Sequence, residues 1–219
     1  MAILELKNVN YAYNEKKQVL NGACCSFEEG IVYALVGKSG AGKSTLLSLM
    51  AGLDVPDSGE VVFNGTPTGE LDLTDYRLKS VSVIYQDFEL FPLLTVLENI
   101  MYPMQLNGIP EKDALSEAKR LAAKVSLSEE LYDRYPSELS GGEQQRVAIA
   151  RGLTMDRRVM LADEPTGNLD SENSDNIFRL LSDLAHRDGK CIIIVTHDLT
   201  IMDKADVVCR ITDGKIVRR

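Results

Sequence analysis

Read for the spacing of apolar and polar side chains, the chain switches repeatedly between two periods. Short apolar runs occur at Ile3–Val9, Ile31–Val36, Val61–Phe63, Val81–Tyr85, Val159–Ala162, Cys191–Val195 and Val207–Ile211. Their length and composition predict strands. The pair Asp213-Gly214 before Ile216–Val217 predicts a closing hairpin. Between the strands the period lengthens to that of a helix. In Ser171–Arg187, for example, Ile177, Leu180, Leu181 and Leu184 share one face and Gly189 can end the helix. Strands interleaved with helices predict an α/β fold, a mainly parallel sheet with helices on both faces. From about Thr95 to Met155 helical periods continue with almost no strand signal, which predicts a helical insertion. The chain has no internal repeats and no low-complexity tracts.

Composition narrows the class without changing this picture. At 219 residues the chain is long enough for one domain with an inserted subdomain and short for two. Its 44% hydrophobic and 26% charged residues are those of an ordinary globular protein. The net charge is −9 and no Lys/Arg cluster forms a basic stripe, so no nucleic-acid partner is expected. Cys24, Cys25, Cys191 and Cys209 show no C-x-x-C spacing and are expected as buried, reduced thiols. The start, MAILELKNV, lacks a targeting pattern, and no segment approaches the roughly 20 apolar residues that cross a bilayer. The expectation is a cytoplasmic protein that does not itself span a membrane.

Chemistry enters at Gly37-Lys38-Ser39-Gly40-Ala41-Gly42-Lys43-Ser44, which fits G-x-x-x-x-G-K-[ST] after a predicted strand and before a predicted helix starting near Lys43. Small residues let successive backbone N–H groups converge on phosphate oxygens, and the helix N-terminus adds positive potential. Lys43 is placed to reach the β- and γ-phosphates, and Ser44 to ligate Mg²⁺. The run Val159–Glu164 is an apolar strand ending in two acids. Asp163 is expected to hold Mg²⁺ through water, and Glu164 to polarise an attacking water, because hydrolysis needs a base within hydrogen-bond reach of it. A second Ser-Gly-Gly turn, in LSGGEQQR from Leu139 to Arg146, opens a helix. Exposed N–H groups, a hydroxyl and a favourable dipole make it an anion site as well as a capped helix start.

Taken together, GKSGAGKST, the glutamine of IYQDFEL (Gln86), LSGGEQQR, VMLADEP, GNLD (Asp170) and VTHD (His197) resemble, in order and separation, the nucleotide-binding subunit of ATP-binding-cassette (ABC) transporters. The resemblance covers essentially the whole chain. It implies a P-loop ATPase of ABC type: a mainly parallel core with an N-terminal antiparallel β subdomain and an inserted α-helical subdomain. The implied layout is one domain over 1–219, with a core of about 1–88 and 156–219 and a helical subdomain of about 89–155. ATP and Mg²⁺ are the implied cofactors. Two chains would pack head to tail as a homodimer, so that Ser140, Gly141 and Gly142 of one cover the γ-phosphate held on Gly37–Thr45 of the other. Gln86 would sense Mg²⁺ and the attacking water, His197 would contact the γ-phosphate, and Asp170 would run along the dimer seam. An aromatic ring stacks on the base in this family; Tyr11 and Tyr13 are both candidates, with Tyr13, just before the polar turn Asn14–Gln18, favoured. Lys38 within the loop and Glu143 after the glycine pair depart from the commonest pattern.

A separate integral membrane permease is the implied partner, which would hold this chain at the inner face of the cell membrane. The apolar stretch Phe88–Leu94 would either receive a short helix of that partner or pack the insertion against the core. The DEPTGNLDS run and the little that follows the last hairpin look most like ATPases serving macrolide export, lipoprotein release, cell division or peptide-antibiotic resistance. The alternative is a cassette ATPase acting on DNA or ribosomes, which the acidic balance and the lack of sustained heptads disfavour.

Overall fold

Apolar runs this continuous demand burial on both sides, and the backbone provides it. A computed structural model describes residues 1–13, 18–167 and 169–218. In chain order the elements are β1 (Ala2–Ala12), β2 (Gln18–Glu28), β3 (Val32–Val36), α1 (Lys43–Met50), β4 (Ser58–Phe63), β5 (Thr66–Pro67), α2 (Leu73–Lys79) and β6 (Val81–Ile84). They continue with α3 (Val96–Leu106), α4 (Glu111–Lys124), α5 (Gly141–Leu153), β7 (Val159–Asp163), α6 (Ser171–His186), β8 (Cys191–Thr196), α7 (Leu199–Lys204), β9 (Val207–Thr212) and β10 (Lys215–Arg218). The chain divides into two units, one of Met1–Val83, Arg158–Glu164 and Leu181–Arg219, the other of Ile84–Arg157 and Pro165–Leu180.

The first unit holds two sheets. One has the order β2-β1-β4-β5 and is antiparallel; the other has the order β10-β9-β3-β8-β7-β6. In the second sheet β9, β3, β8 and β7 run parallel, and β10 turns back antiparallel on β9 through Asp213-Gly214. Every residue of β3 and β8 is buried, as strands covered on both faces require. β7 is buried until its last residue, Asp163, which leaves the core at the strand end. The long β2 lies outside the strands expected from sequence. Its pairing with β1 carries several register shifts, so its core residues Leu20, Ala23 and Phe27 recur at three and four rather than two. The same irregularity corrects the cysteine expectation. Cys191 and Cys209 are buried and Cys25 is half-buried, but Cys24 is exposed on β2.

The second unit is built on α3, α4, α5 and the first turns of α6. Two of these helices start with a reciprocal cap. Thr95 accepts from the Glu98 N–H and the Glu98 carboxylate accepts from the Thr95 N–H at 2.7 Å. At α5 the Ser140 hydroxyl accepts from the Glu143 N–H, while the Glu143 carboxylate accepts from the Ser140 N–H at 2.7 Å. Glu143, a departure from the commonest motif, thus completes a capping box. No helix among the described residues is long and apolar enough to cross a membrane.

Candidate active site

β3 delivers the phosphate loop at its buried C-terminal end, and the glycines there are fixed by close approach. A Cβ on Gly37 would lie 2.9 Å from the Ile211 carbonyl oxygen. Gly42, at φ +97°, caps α1, and a Cβ there would lie 2.7 Å from Val19 Cγ1. Neither place admits a side chain. Lys43 folds back so that its ammonium donates to the carbonyls of Gly37 (2.9 Å) and Lys38 (3.3 Å), closing the loop on itself. Lys38, Ser39 and Gly40 are exposed at its tip, and Ala41 N–H donates to the Lys38 carbonyl at 3.1 Å. Together β2, the loop and the β9–β10 hairpin enclose a cleft of about 500 Å³.

The two tyrosines take different positions. The Tyr11 hydroxyl donates to the Asp54 carboxylate, which, with partial desolvation, pushes its pKa up to about 12. Tyr13 is exposed, stands edge-on to Tyr11 at 5.4 Å, and places its hydroxyl 2.7 Å from Thr45 Oγ1 on the first turn of α1. Tyr13, not Tyr11, therefore borders the phosphate loop.

Behind the loop stand Asp163, the last residue of β7, and Glu164 just beyond it. The Ser44 hydroxyl and the Lys43 ammonium both favour the ionised Asp163 carboxyl. Burial, followed by the neighbouring charge of Glu164, outweighs both and holds the Asp163 carboxyl above the usual carboxylate range. Glu164 sits in the left-handed region at φ 45°, unusual for a side chain of its size. Its N–H donates to the Val195 carbonyl at 2.8 Å. One carboxylate oxygen lies 2.8 Å from His197 Nδ1, and the other accepts from the Thr196 hydroxyl at 3.2 Å. Thr196 is fully buried at the end of β8, and its hydroxyl also accepts from the Asp198 N–H at 3.0 Å. Asp198 in turn caps α7. Thr196 was missed from sequence, although a hydroxyl at the end of a buried strand beside a histidine is the available signal.

The remaining expected site residues belong to the second unit. Gln86 is exposed in the turn after β6. Ser140, Gly141 and Gly142 open α5. Asp170 precedes α6 and accepts from both the backbone N–H (2.9 Å) and the side-chain amide (3.0 Å) of Asn173, bonds that hold its carboxyl below the usual range. The oxygen of that Asn173 amide would lie 2.9 Å from a Cβ on Gly142. The structure thus brings Asp170 and the Ser-Gly-Gly turn together through a residue that carries no motif signal.

These residues suit a nucleotide with Mg²⁺. The glycine cradle leaves backbone N–H groups uncovered by side chains, and Ser44 with Asp163 offers the hard oxygen donors that Mg²⁺ takes. Among the described residues no group of three or more His, Cys, Asp or Glu could hold a metal alone. A cation carried mainly by phosphate oxygens needs no such group.

A family model described as "ABC transporter" matches residues 20–167. The chain belongs to the ABC transporter family. Within it the chain is an ATP-binding subunit, an ATPase that uses Mg²⁺. It is 40% identical over 215 residues to the uncharacterized ABC transporter ATP-binding protein YclH of Bacillus subtilis (strain 168), covering 98% of this chain and 95% of that one. An uncharacterized ABC transporter ATP-binding protein of Mycobacterium tuberculosis (strain H37Rv) is 41% identical over 221 residues, covering 98% and 89%. Among solved structures, the ATP-binding cassette MJ0796, dimeric in a post-hydrolysis state bound to ADP and Pi, is 34% identical with a TM-score of 0.89, covering 99% of this chain and 97% of that one. The cassette cbiO1 from Clostridium perfringens, part of the ABC transporter complex cbiONQ, is 30% identical with a TM-score of 0.90, covering 99% and 87%.

Proposed function

We propose that this ABC ATPase works as a head-to-tail pair of identical chains coupled to a separate integral membrane permease, and that the pair drives export or extrusion. The observation that carries the hydrolytic part is Glu164. Its carboxylate is fixed by Thr196 and His197, one residue beyond Asp163, whose carboxyl is acted on by Ser44 and Lys43. The reading of the layout is one domain with a core of about 1–88 and 156–219 and a helical subdomain of about 89–155.

In this reading the N–H groups of Gly37–Thr45 and the Lys43 ammonium cradle the phosphates, and Tyr13 stacks on the adenine. Ser44, Asp163 and Gln86 would hold Mg²⁺, which would neutralise charge on the phosphoryl oxygens. Glu164 orients and polarises the attacking water, and His197 fixes the Glu164 carboxylate while facing the γ-phosphate. Ser140, Gly141 and Gly142 of the facing chain cover that phosphate, and Asp170 lies at the seam. Nucleotide then stabilises the closed pair by its differential affinity for that state, and hydrolysis removes the bridge. Support for pairing is that the MJ0796 cassette is dimeric, and for a permease that cbiO1 is part of a transporter complex. The DEPTGNLDS run supports the export or mechanical-transmission branch. The permease would hold the chain at the inner face of the membrane.

Glu164→Gln tests the reading. ATP binding should persist while turnover falls by about 10²–10⁴-fold, the range for losing a general base, and an ATP-bound dimer should accumulate in gel filtration. Near-normal turnover in this variant would remove Glu164 from the role of base.

A further inference from the structure

Two thiols that hydrolysis does not use face each other between β2 and β9. Cys25 lies on β2 and Cys209 on β9, in different sheets, with their sulfurs 3.6 Å apart. Cys209 is fully buried and Cys25 half-buried. The two are chemically unequal. The bond from Cys209, the Ser26 backbone and the Arg218 charge hold the Cys25 thiol below its ordinary range against the opposing effect of burial. Cys209 is pushed well above that range by its bond to Cys25 and by burial. Cys25, the more accessible of the two, is the sulfur that an oxidant reaches first, and the fully buried Cys209 is the partner that resolves it. The other cysteines are placed to stay out of this chemistry. The Cys24 sulfur accepts from the Asn8 N–H and donates to the Asn8 side chain, both at 3.2 Å. Cys191 is buried, and burial raises its thiol far above the ordinary range.

The strands that carry the pair also press on the phosphate loop. Val19 of β2 sits 2.7 Å from where a Gly42 Cβ would be, and Ile211 of β9 sits 2.9 Å from where a Gly37 Cβ would be. A disulfide requires the sulfurs to close to about 2.05 Å. The shortening is shared between side-chain rotation and the strands β2 and β9, whose continuations leave no room for a side chain at Gly42 and Gly37.

We propose that Cys25 and Cys209 are a peroxide-sensitive pair whose disulfide clamps β2 to β9 and slows ATP turnover through Gly37 and Gly42. The Cys25 thiolate attacks a peroxide oxygen, giving a sulfenic acid and releasing hydroxide. The Cys209 sulfur then attacks the Cys25 sulfur, forming the S–S bond as the hydroxyl, with the Cys209 proton, leaves as water. Peroxide takes both electrons. The effect on turnover rests on the nucleotide-site reading above; formation of the bond does not.

The test treats the reduced full chain with hydrogen peroxide, then measures free thiols, disulfide-mapped peptides and ATPase rate before and after dithiothreitol. Free thiols should fall from four to two, and a Cys25–Cys209 peptide pair lighter by two hydrogens should appear. Turnover should drop at least about fivefold, the lower end of coupling between distinct sites, and recover with dithiothreitol. Cys25→Ser and Cys209→Ser should be active and insensitive to peroxide, while Cys24→Ser should stay sensitive. Absence of the cross-linked peptide, or a cross-link that leaves turnover unchanged, overturns the proposal. If Cys209→Ser fails to fold, the half-buried Cys25→Ser and the peptide map on the unaltered chain still decide. A reduced chain without any ATPase activity would instead count against the nucleotide-site reading, with the thiol count still reporting on the pair.

Discussion

Burial makes Asp163 an uneasy anion, and that has a measurable sign. Desolvation and the charge of Glu164 raise its pKa in the folded chain above the ordinary value of about 3.9. The associated stability is therefore complete below that ordinary value and lost as pH rises through the raised one. At pH 7, without Mg²⁺ and nucleotide, Asp163→Asn should melt higher than the unaltered chain, and the gain should vanish below about pH 4. Mg²⁺–ATP should raise the melting temperature of the unaltered chain and do much less for the variant, because linkage rewards only the form that binds. A variant no more stable at pH 7 would show that burial is not what governs this carboxyl. Gly142 offers a second test. An exposed helical glycine replaced by alanine commonly gains about 0.5–1 kcal/mol. Here the new methyl meets Asn173 Oδ1 at 2.9 Å, and Asp170 grips that amide and its backbone. Overpacking should win, and Gly142→Ala should cost about 1–2 kcal/mol in urea unfolding. In an Asn173→Ala background the same substitution should be neutral or stabilising. Additive effects of the two changes would mean that Asn173 is not the reason for the glycine.

Among the elements, the one most dependent on a single side chain is the turn from Phe91 into α3. Asn99 is fully buried on α3, accepts from the Phe91 N–H at 2.8 Å, and donates to the carbonyls of Phe91, Leu94 and Thr95. Upstream, Phe88 and Glu89 are both left-handed, and the Arg151 guanidinium donates to both of their carbonyls. A loop held this firmly leaves Phe91 40% and Leu93 85% exposed. Asn99→Ala should cost about 2–3 kcal/mol, the penalty of orphaning a buried N–H and carbonyls. Phe91→Asp should leave nucleotide affinity and stability close to normal while abolishing co-purification with the permease. A variant that unfolds instead would return Phe91 to a packing role. Nothing local in the sequence announces Arg151, whose acceptors Glu89 and Phe88 lie 62 and 63 residues away, or the meeting of Asn173 with the distant Gly142. Asn99 bonds only to nearby backbone, but to an irregular turn that no periodic pattern marks. Strongly periodic local signals, by contrast, are legible. α6 was expected at Ser171–Arg187 and is found at Ser171–His186, and the phosphate loop lies between β3 and a helix beginning at Lys43. β2 stayed hidden because bulges broke its period, and α7 because a six-residue helix offers too few turns to show one.

At the scale of the whole molecule, the residues that would touch one ATP sit on both units: the phosphate loop, Asp163, Glu164 and His197 on the first, the Ser140–Gly142 turn and Asp170 on the second. In the proposed head-to-tail pair each reaction centre would combine the first unit of one chain with the second unit of the other, and closed twofold symmetry would give two such centres. Two defective chains should then repair each other. Lys43→Ala removes the loop cation and keeps the Ser-Gly-Gly turn; Gly142→Asp fills and charges that turn and keeps the loop. Either chain alone should be nearly inactive, because both centres of its homodimer carry the lesion. Mixed in equal amounts, half of the pairs combine one of each, and each such pair has one centre with every part intact and one with both lesions. If the centres fire independently, phosphate release should recover to about a quarter of the unaltered rate. Recovery well below that, with mixed dimers confirmed by differently tagged chains, would mean that both centres must be intact for either to fire. Full activity of the Gly142→Asp chain by itself would be a different outcome altogether, since it would place all the groups that hydrolyse ATP within one chain and leave the facing turn without a part in the chemistry.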